Sequence, residues 1–237
     1  MYTRLVLFDI DGTLLTTNGD AVRAMLRAYE RVYGTRPVTD GFLMDGKTEL
    51  QIVHELLAAA GLDEARVTAG LPRFWASYVA ELERRLAPER ITVYPGVRPL
   101  LAALRARPAL LLGLLTGNIE GSARLKLARA GLDGFAVGAY GEHHRDRAAL
   151  PAQAVAAAQA SVGRRFTGKE IVVLGDTPND VRCGRDLGVT TIAVATGLYS
   201  RAALAAEAPD HLFNDLADVP AVLAAIEGRP AGGGAHS

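Results

Sequence analysis

The chain has 237 residues, of which 49% are hydrophobic and 22% charged, and its 26 basic residues balance 26 acidic ones. This composition is that of an ordinary globular protein. The balanced charge gives no reason to expect nucleic acid or a membrane surface as a partner, so we expect a small-molecule ligand. The single cysteine, Cys183, excludes an internal disulfide. With neither a signal peptide nor an apolar run of about 20 residues, we expect a cytoplasmic monomer or homodimer.

The first apolar run, residues 5–8, predicts a strand, and helical periodicity alone follows it. Apolar residues at helical spacing predict three helices, over residues 20–33, 48–60 and 64–86, and Pro72 is expected to interrupt the third. This helical stretch is too long for a crossover connection, which indicates an inserted domain.

Beyond residue 95, short apolar runs alternate with helical periodicity. The runs predict strands over 110–115, 135–139, 171–174 and 190–194, and the periodicity predicts helices over 122–130, 148–160 and 181–187. Alternating strands and helices favour a parallel sheet with right-handed crossovers.

We therefore predict an α/β protein with a doubly wound, Rossmann-like core and an inserted all-helical cap. The core would comprise residues 1–15 and 96–227, and the cap residues 16–95, with hinges near 15–19 and 93–96. The glycine-rich end, residues 228–237, is expected to be a disordered tail.

Two carboxylates, Asp9 and Asp11, stand where the first strand is predicted to end. Ligands of open α/β folds bind at this carboxyl edge of the sheet. Neighbouring carboxylates repel each other and lose solvation there, so they indicate a bound cation or a chemical role. Gly12 lets the chain turn sharply after them, because glycine accepts left-handed dihedral angles.

Further polar side chains follow later apolar runs. Thr116 follows the second predicted strand, Asp176 follows a later one, and Asp180 lies four residues further on. If these strands are parallel neighbours, the side chains converge with Asp9 and Asp11 on one crevice. An all-oxygen acidic cluster suits Mg²⁺, and phosphoryl transfer is the reaction that most needs it. Asp180 has an alternative interpretation as a helix cap alone.

Three motifs, in this order and at this spacing, resemble those of the haloacid dehalogenase (HAD) superfamily, and in particular its phosphoglycolate phosphatase-like subgroup with a helical cap. The first motif is Asp9-Ile10-Asp11-Gly12-Thr13, the second is Leu114-Leu115-Thr116-Gly117-Asn118, and the fourth runs from Gly175-Asp176 to Asp180.

The resemblance implies a role for each matching residue. Asp9 would be the nucleophile that forms an aspartyl phosphate, and Asp11 the general acid and then the general base. Mg²⁺ would be held by Asp9, by Asp176 and by the backbone carbonyl of Asp11, with Asp180 bound directly or through water. The phosphoryl group would be held by the hydroxyl and backbone amides of the residues Gly12, Thr116, Gly117 and Asn118.

The third motif of the family, a lysine that offsets the negative charge, has no obvious counterpart. The stretch 141–151 contains no lysine, and Arg147, just before a predicted helix, is the best candidate for the missing cation. Lys126 is the rival, although its place two turns into a helix predicts that it points into solvent.

Substrate choice would come from the cap, where the segment Gly46-Lys47-Thr48 precedes a predicted helix. Lys47 and Thr48 could touch the leaving group, and the helix N-terminus favours an anion. Equally, Thr48 could be a helix N-cap and Lys47 a solvated charge.

The leading hypothesis is a phosphatase for small phosphate monoesters. A β-phosphoglucomutase-like mutase would share the same catalytic residues, and the sequence does not separate the two. A receiver-type phosphoacceptor domain is disfavoured by the large insert, and a noncatalytic binding module by the presence of both Asp9 and Asp11.

Overall fold

The computed structural model describes residues 1–229, apart from the side chain of Asp186. The predicted disorder of residues 230–237 lies outside the described residues. The strands are β1 (Arg4–Phe8), β2 (Leu15–Thr16), β3 (Thr92–Val93), β4 (Leu110–Leu115), β5 (Val137–Ala139), β6 (Ile171–Gly175), β7 (Thr190–Val194) and β8 (His211–Phe213). The helices are α1 (Asp20–Tyr33), α2 (Glu49–Ala59), α3 (Glu64–Arg85), α4 (Val97–Arg105), α5 (Glu120–Ala130), α6 (Leu150–Val162), α7 (Pro178–Arg182), α8 (Arg201–Ala206) and α9 (Val219–Glu227).

Six strands form one parallel sheet in the order β5-β4-β1-β6-β7-β8. The strand order reverses around β1, which makes the sheet doubly wound and places its binding crevice beyond the carboxyl end of β1. The predicted α/β fold class is confirmed. Within residues 1–229, no helix is long and apolar enough to span a membrane.

The sheet is buried on both faces, as a parallel sheet requires. Successive side chains of β1 point to opposite faces. Val6 and Phe8 join the apolar cluster under α4, α5 and α9, whereas Leu5 and Leu7 join the cluster that includes Leu150 of α6. The apolar run therefore forms the central strand β1, and the residues that follow it can carry polar groups into the crevice.

Residues between β2 and β3 form a second apolar core of their own. Helices α1, α2 and α3, called the cap helices below, contribute Tyr29, Leu57, Phe74 and Tyr78 to it. The rings of Tyr29 and Phe74 lie 4.6 Å apart, and such aromatic pairs add about 1 kcal/mol beyond the area they bury. This second core supports the predicted cap, whose exact boundaries stay a prediction.

Three details of the predicted elements are wrong. Helix α3 continues through Pro72, because Phe74, Tyr78 and Leu82 are buried at helical spacing and anchor the second half of the helix. Helices do not fill the insert alone, since β2 and β3 pair as a short antiparallel ribbon at its base. In place of a helix over 181–187, α7 begins at Pro178 and is followed by a 3₁₀ turn over Arg185–Leu187.

Candidate active site

The carboxyl edge of the sheet brings the predicted acids together. Asp9 and Asp11 follow β1, Thr116 follows β4, and Asp176 follows β6. Because β4 and β6 are the two neighbours of β1, all four residues meet at one edge. A cavity of about 520 Å³ lies between this edge and the cap helices, and Asp9, Asp11, Gly12, Gly117 and Asn118 line it.

Asp9, Asp176 and Asp180 form a buried acidic cluster, in which one carboxylate oxygen from each lies within 4.8 Å of the others. The Oδ1 atom of Asp176 accepts a hydrogen bond from Thr13 Oγ1 at 2.9 Å. Its Oδ2 atom is buried and has no hydrogen-bond partner among residues 1–229. A buried carboxylate oxygen without a donor fits a cation ligand, so the residues present suit a hard divalent metal.

Two glycines keep the backbone close to that carboxylate. A Cβ atom on Gly12 would lie 2.1 Å from Asp176 Oδ2, and one on Gly197 would lie 1.8 Å from the same atom. Both distances are far inside van der Waals contact. Gly12 also has a φ of 86°, which side chains rarely adopt. A side chain at either position would displace the Asp176 carboxylate.

The crowding of acids shifts their ionisation. Burial raises the pKa of Asp9 to about 6, against the attraction of Arg147 and with help from the Asp180 and Asp11 carboxylates. Burial, followed by the charges of Asp180 and Asp9, raises the pKa of Asp176 well above its usual range. The cluster therefore holds more negative charge than its protein neighbours offset, as expected of a cation site.

Arg147 supplies one buried cation to the cluster. Its Nη2 atom lies 3.2 Å from Asp9 Oδ1 and also donates to Asp180 Oδ1. Arg147 occupies the 3₁₀ turn immediately before α6, where the sequence predicted the missing cation. Burial acts to lower the pKa of Arg147, but Asp180 and Asp9 raise it above its ordinary value, so the side chain stays charged.

Lys126 supplies a second buried cation, and the prediction that it points into solvent is wrong. Its Nζ atom donates to Asp11 Oδ2 at 2.6 Å and to Asn118 Oδ1 at 2.5 Å. Helix α5 begins at Glu120, and Ser122 and Lys126, one turn apart, are both buried on its inner face. The two candidate cations thus lie at different acids, Arg147 at Asp9 and Lys126 at Asp11.

The second motif positions Asp11 through Asn118. The Nδ2 atom of Asn118 donates to Asp11 Oδ2 at 2.8 Å and to Thr116 Oγ1 at 2.7 Å. The Gly12 amide donates to the Leu15 carbonyl oxygen at 3.0 Å, so it already has a partner within the turn. In this structure the Gly12 amide is therefore not free to donate to a phosphoryl oxygen, which was its expected role.

Asp180 is more than a helix cap. Thr177 is the N-cap of α7, and Asp180 completes a capping box by accepting hydrogen bonds from the Thr177 backbone N and Oγ1 at 2.9 and 2.6 Å. The other carboxylate oxygen of Asp180 accepts from Arg147. The interpretation of Asp180 as a cap alone is wrong, because one carboxylate both caps α7 and joins the acidic cluster.

The segment before α2 rests directly on the core. Thr48 is the N-cap of α2, accepting from the Gln51 amide at 3.1 Å. The Glu49 amide donates to the Gly117 carbonyl oxygen at 2.7 Å, and Asn179 donates to the Gly46 carbonyl oxygen at 2.9 Å. Gly46 and Lys47 of the predicted cap segment therefore form part of one wall of the cavity, whereas Thr48 is buried and is not among the residues that line it.

Lys47 is not a solvated charge. Its Nζ atom is paired with Glu55 and lies 4.3 Å from the centre of the Phe42 ring. The Lys47 side chain retains only 23% of its exposure. Its charge is therefore neutralised within the cap.

Sequence reasoning missed Glu49, a buried acid in the first turn of α2. Its Oε1 atom accepts from Tyr78 Oη at 2.7 Å, and its Oε2 atom accepts from the Ile119 amide at 2.8 Å and from Ser122 Oγ at 3.0 Å. Burial raises the pKa of Glu49, and Lys126 opposes the shift. Glu49 joins the cap to the second motif, and its only sequence signal is an acid at a helix start.

Comparison with known proteins places this fold and edge in one family. Residues 3–188 match the family model described as haloacid dehalogenase-like hydrolase. The chain is similar to the phosphoglycolate phosphatase of Caulobacter vibrioides, with 30% identity over 91% of this chain and 88% of that one. It is also similar to the pyrophosphatase PpaX of Anoxybacillus flavithermus, with 24% identity over 94% and 98% of the two chains.

A solved structure gives the same assignment of the fold. The β-phosphoglucomutase of Clostridium difficile matches with a TM-score of 0.70 at 12% identity, covering 96% of this chain and 98% of that one. At this identity the match speaks for the fold alone. Because the match to the family model spans most of the chain, from before β1 to beyond α7, the protein belongs to the haloacid dehalogenase-like hydrolases.

Proposed function

We propose that the protein is a magnesium-dependent phosphatase that hydrolyses a small phosphate monoester through an aspartyl phosphate on Asp9. The observation that carries this proposal is the position of Asp9. It lines the cavity, lies beside Arg147 and shares a buried oxygen cluster with Asp176 and Asp180. The phosphoglycolate phosphatase of C. vibrioides, similar over most of its length, supports the same reaction class.

In the first step, a carboxylate oxygen of Asp9 attacks phosphorus and the bond from phosphorus to the ester oxygen breaks. Asp11 protonates the departing alkoxide, which leaves as an alcohol. In the second step, Asp11 takes a proton from water, and the resulting nucleophile attacks phosphorus and releases inorganic phosphate. Asp9 returns to a carboxylate, so the cycle closes with water as the only co-substrate.

The residues around Asp9 and Asp11 prepare these steps. Mg²⁺ would be held by Asp9, Asp176 and the Asp11 carbonyl oxygen, with Asp180 direct or through water, and would supply charge for the phosphoryl oxygens. Arg147 would add a fixed positive charge next to Asp9. Asn118 and Lys126 hold the Asp11 carboxylate at one oxygen and leave the other available for proton transfer.

The direct test is phosphate release from p-nitrophenyl phosphate with Mg²⁺ and with EDTA. We expect release that EDTA abolishes and that Asp9→Asn reduces by at least about 10³-fold, because the nucleophile is lost. Asp133→Asn, which changes an exposed acid outside the cavity, serves as the control. Undiminished release in Asp9→Asn or in EDTA would contradict the proposal.

The mutase alternative differs in where the phosphoryl group goes. A mutase would return it from Asp9 to a sugar before water arrives. Conversion of β-glucose 1-phosphate to glucose 6-phosphate, without comparable release of phosphate, would favour that alternative.

A further inference from the structure

The cavity differs in chemistry from one side to the other. Its core side carries the acids and cations already described. Its cap side is largely apolar, and five side chains of α1, α2 and the segment between them form what we call the apolar wall: Val22, Met25, Phe42, Met44 and Ile52. Because the phosphoryl group must lie at Asp9, the apolar wall faces the rest of the substrate.

Every cation among the described residues that line the cavity already has a carboxylate partner. Arg147 is paired with Asp9 and Asp180, Lys126 with Asp11, and Lys47 with Glu55. A second acidic group on the substrate would have to break one of these pairs. Breaking one would leave a carboxylate of the protein without its cation, at the greatest cost beside the buried Arg147.

Two amides in the first turn of α2 also have partners. The Glu49 amide donates to the Gly117 carbonyl oxygen, and the Gln51 amide donates to Thr48 Oγ1. The Glu49 carboxylate lies in the first turn of the helix, where a bound anion would otherwise be favoured. The expectation that this helix end binds an anionic substrate group is therefore not supported.

Acidic groups of the cavity wall add to the repulsion. Asp45, which follows Met44 in the chain, and Glu49, which precedes Ile52 by three residues, both line the cavity. A substrate carboxylate placed there would lose its hydration and meet like charges, whereas an alkyl group would lose only unfavourable contact with water.

We propose that the substrate is the phosphate monoester of an uncharged alcohol with an apolar body, and that a carboxylate-bearing ester such as phosphoglycolate is a poor substrate. This inference rests on the proposed phosphatase function and names the substrate class of that site. The apolar wall binds the alkyl or aryl group, and the paired state of Lys47 denies a carboxylate its partner.

The first test compares kcat/KM for ethyl, propyl and butyl phosphate with that for 2-phosphoglycolate, all with Mg²⁺. The simple alcohols have similar acidity, so their trend reports binding to the apolar wall. We expect kcat/KM to rise by up to about fourfold for each added methylene, and phosphoglycolate to fall below ethyl phosphate. Phosphoglycolate equal to or better than butyl phosphate would overturn the inference while upholding the phosphatase.

Failure of the proposed function gives a different result. If p-nitrophenyl phosphate and every ester in the series stay intact with folded, magnesium-loaded protein, the phosphatase itself is refuted, and the inference with it.

The second test frees Lys47 without touching the residues that line the cavity. Glu55→Gln keeps the shape of the side chain but removes the charge that neutralises Lys47. We expect kcat/KM for phosphoglycolate to rise by about tenfold relative to butyl phosphate, because the released ammonium can pair with the carboxylate. Glu30→Gln, which removes the charge paired with Arg27 and Arg36 outside the cavity, is the matched control. An unchanged ratio in Glu55→Gln would contradict the role given to the pair.

Discussion

At the scale of single residues, the two carboxylates that we propose to be catalytic differ in the cation beside each. Asp9 is buried and touches Arg147, whereas the Asp11 side chain keeps 42% of its exposure and touches Lys126. A nucleophile must stay fixed against phosphorus, while an acid and base must exchange protons with substrate and water. The two environments fit these different tasks.

Replacing Lys126 should affect substrates with different leaving groups unequally. Lys126→Met removes the ammonium group that holds Asp11 Oδ2. We expect kcat/KM for an alkyl phosphate to fall by roughly 10²-fold, because its alkoxide needs a proton from Asp11. The value for p-nitrophenyl phosphate, whose leaving group needs no proton, should change much less.

The control for this measurement is Lys169→Met, since Lys169 lies outside the cavity and pairs with Asp210. Equal losses on both substrates in Lys126→Met would show that Lys126 does not act through Asp11.

Replacing Arg147 should weaken phosphate binding most. Arg147 is the cation beside Asp9 and Asp180, so Arg147→Ala should raise the inhibition constant of inorganic phosphate by at least about tenfold. Lys126→Ala should raise it less. Arg147→Lys, which keeps the charge, should recover part of the loss, and thermal unfolding of each variant checks the fold. The reverse ranking would assign the third-motif role to Lys126.

At the scale of elements, the base of the insert is tied by charge as well as by the ribbon of β2 and β3. Asp20, the first residue of α1, is buried and accepts hydrogen bonds from Arg23 and from Arg90, which ends the 3₁₀ turn before β3. Asn18 donates to the Arg90 carbonyl oxygen at 2.9 Å. Hydrogen bonds thus hold the chain together at or beside the two segments that we predict to be hinges, residues 15–19 and 93–96.

This arrangement predicts a pH dependence of stability. Burial acts to raise the pKa of Asp20, but hydrogen bonds and charges from Arg90 and Arg23 hold it below its usual value. A carboxyl with a lowered pKa contributes stability above its ordinary pKa of 3.8. That contribution is lost as the pH falls through the folded pKa. Asp20→Asn should therefore lower the free energy of unfolding near pH 7 and flatten its decline toward about pH 3.

Urea denaturation at several pH values measures this slope. Asp133→Asn, which removes an exposed partner of Arg105, should leave the slope unchanged. An acid slope in Asp20→Asn as steep as that of the unmodified protein would refute the contribution of this pair.

At the scale of the whole molecule, the sequence predicts well the features that depend on strand order. It predicts poorly those that depend on how helices pack against the core. Asp9 and Asp176 meet because apolar runs fix the strands and parallel neighbours share an edge. The direction of Lys126 could not be predicted, because it depends on which face of α5 packs against the core. In the sequence Glu49 is an ordinary acid at a helix start, and its role depends on the hydrogen bond from its amide to the Gly117 carbonyl oxygen. Strands of two residues, such as β2, carry no periodicity to detect.

The same distinction separates the reaction from its substrate. The polar groups of the candidate site come from short motifs at strand ends, so the sequence predicted phosphoryl transfer. The leaving-group side of the cavity is assembled from α1, α2 and the segment between them, which are distant from the motifs in the chain. Its apolar wall and paired cations became visible only once the cap helices were placed against the sheet.

If Asp9 is the nucleophile, it becomes phosphorylated during turnover, and trapping this intermediate tests that role. Asp11→Asn should slow the second step, so brief reaction with p-nitrophenyl phosphate and Mg²⁺, acid quenching and borohydride reduction should convert the acyl phosphate at position 9 to homoserine. We predict that peptide mass spectrometry finds this change at residue 9, and finds none when EDTA is present. Reduction at another carboxylate, or continued phosphate release with residue 9 unmodified, would contradict an aspartyl phosphate at Asp9.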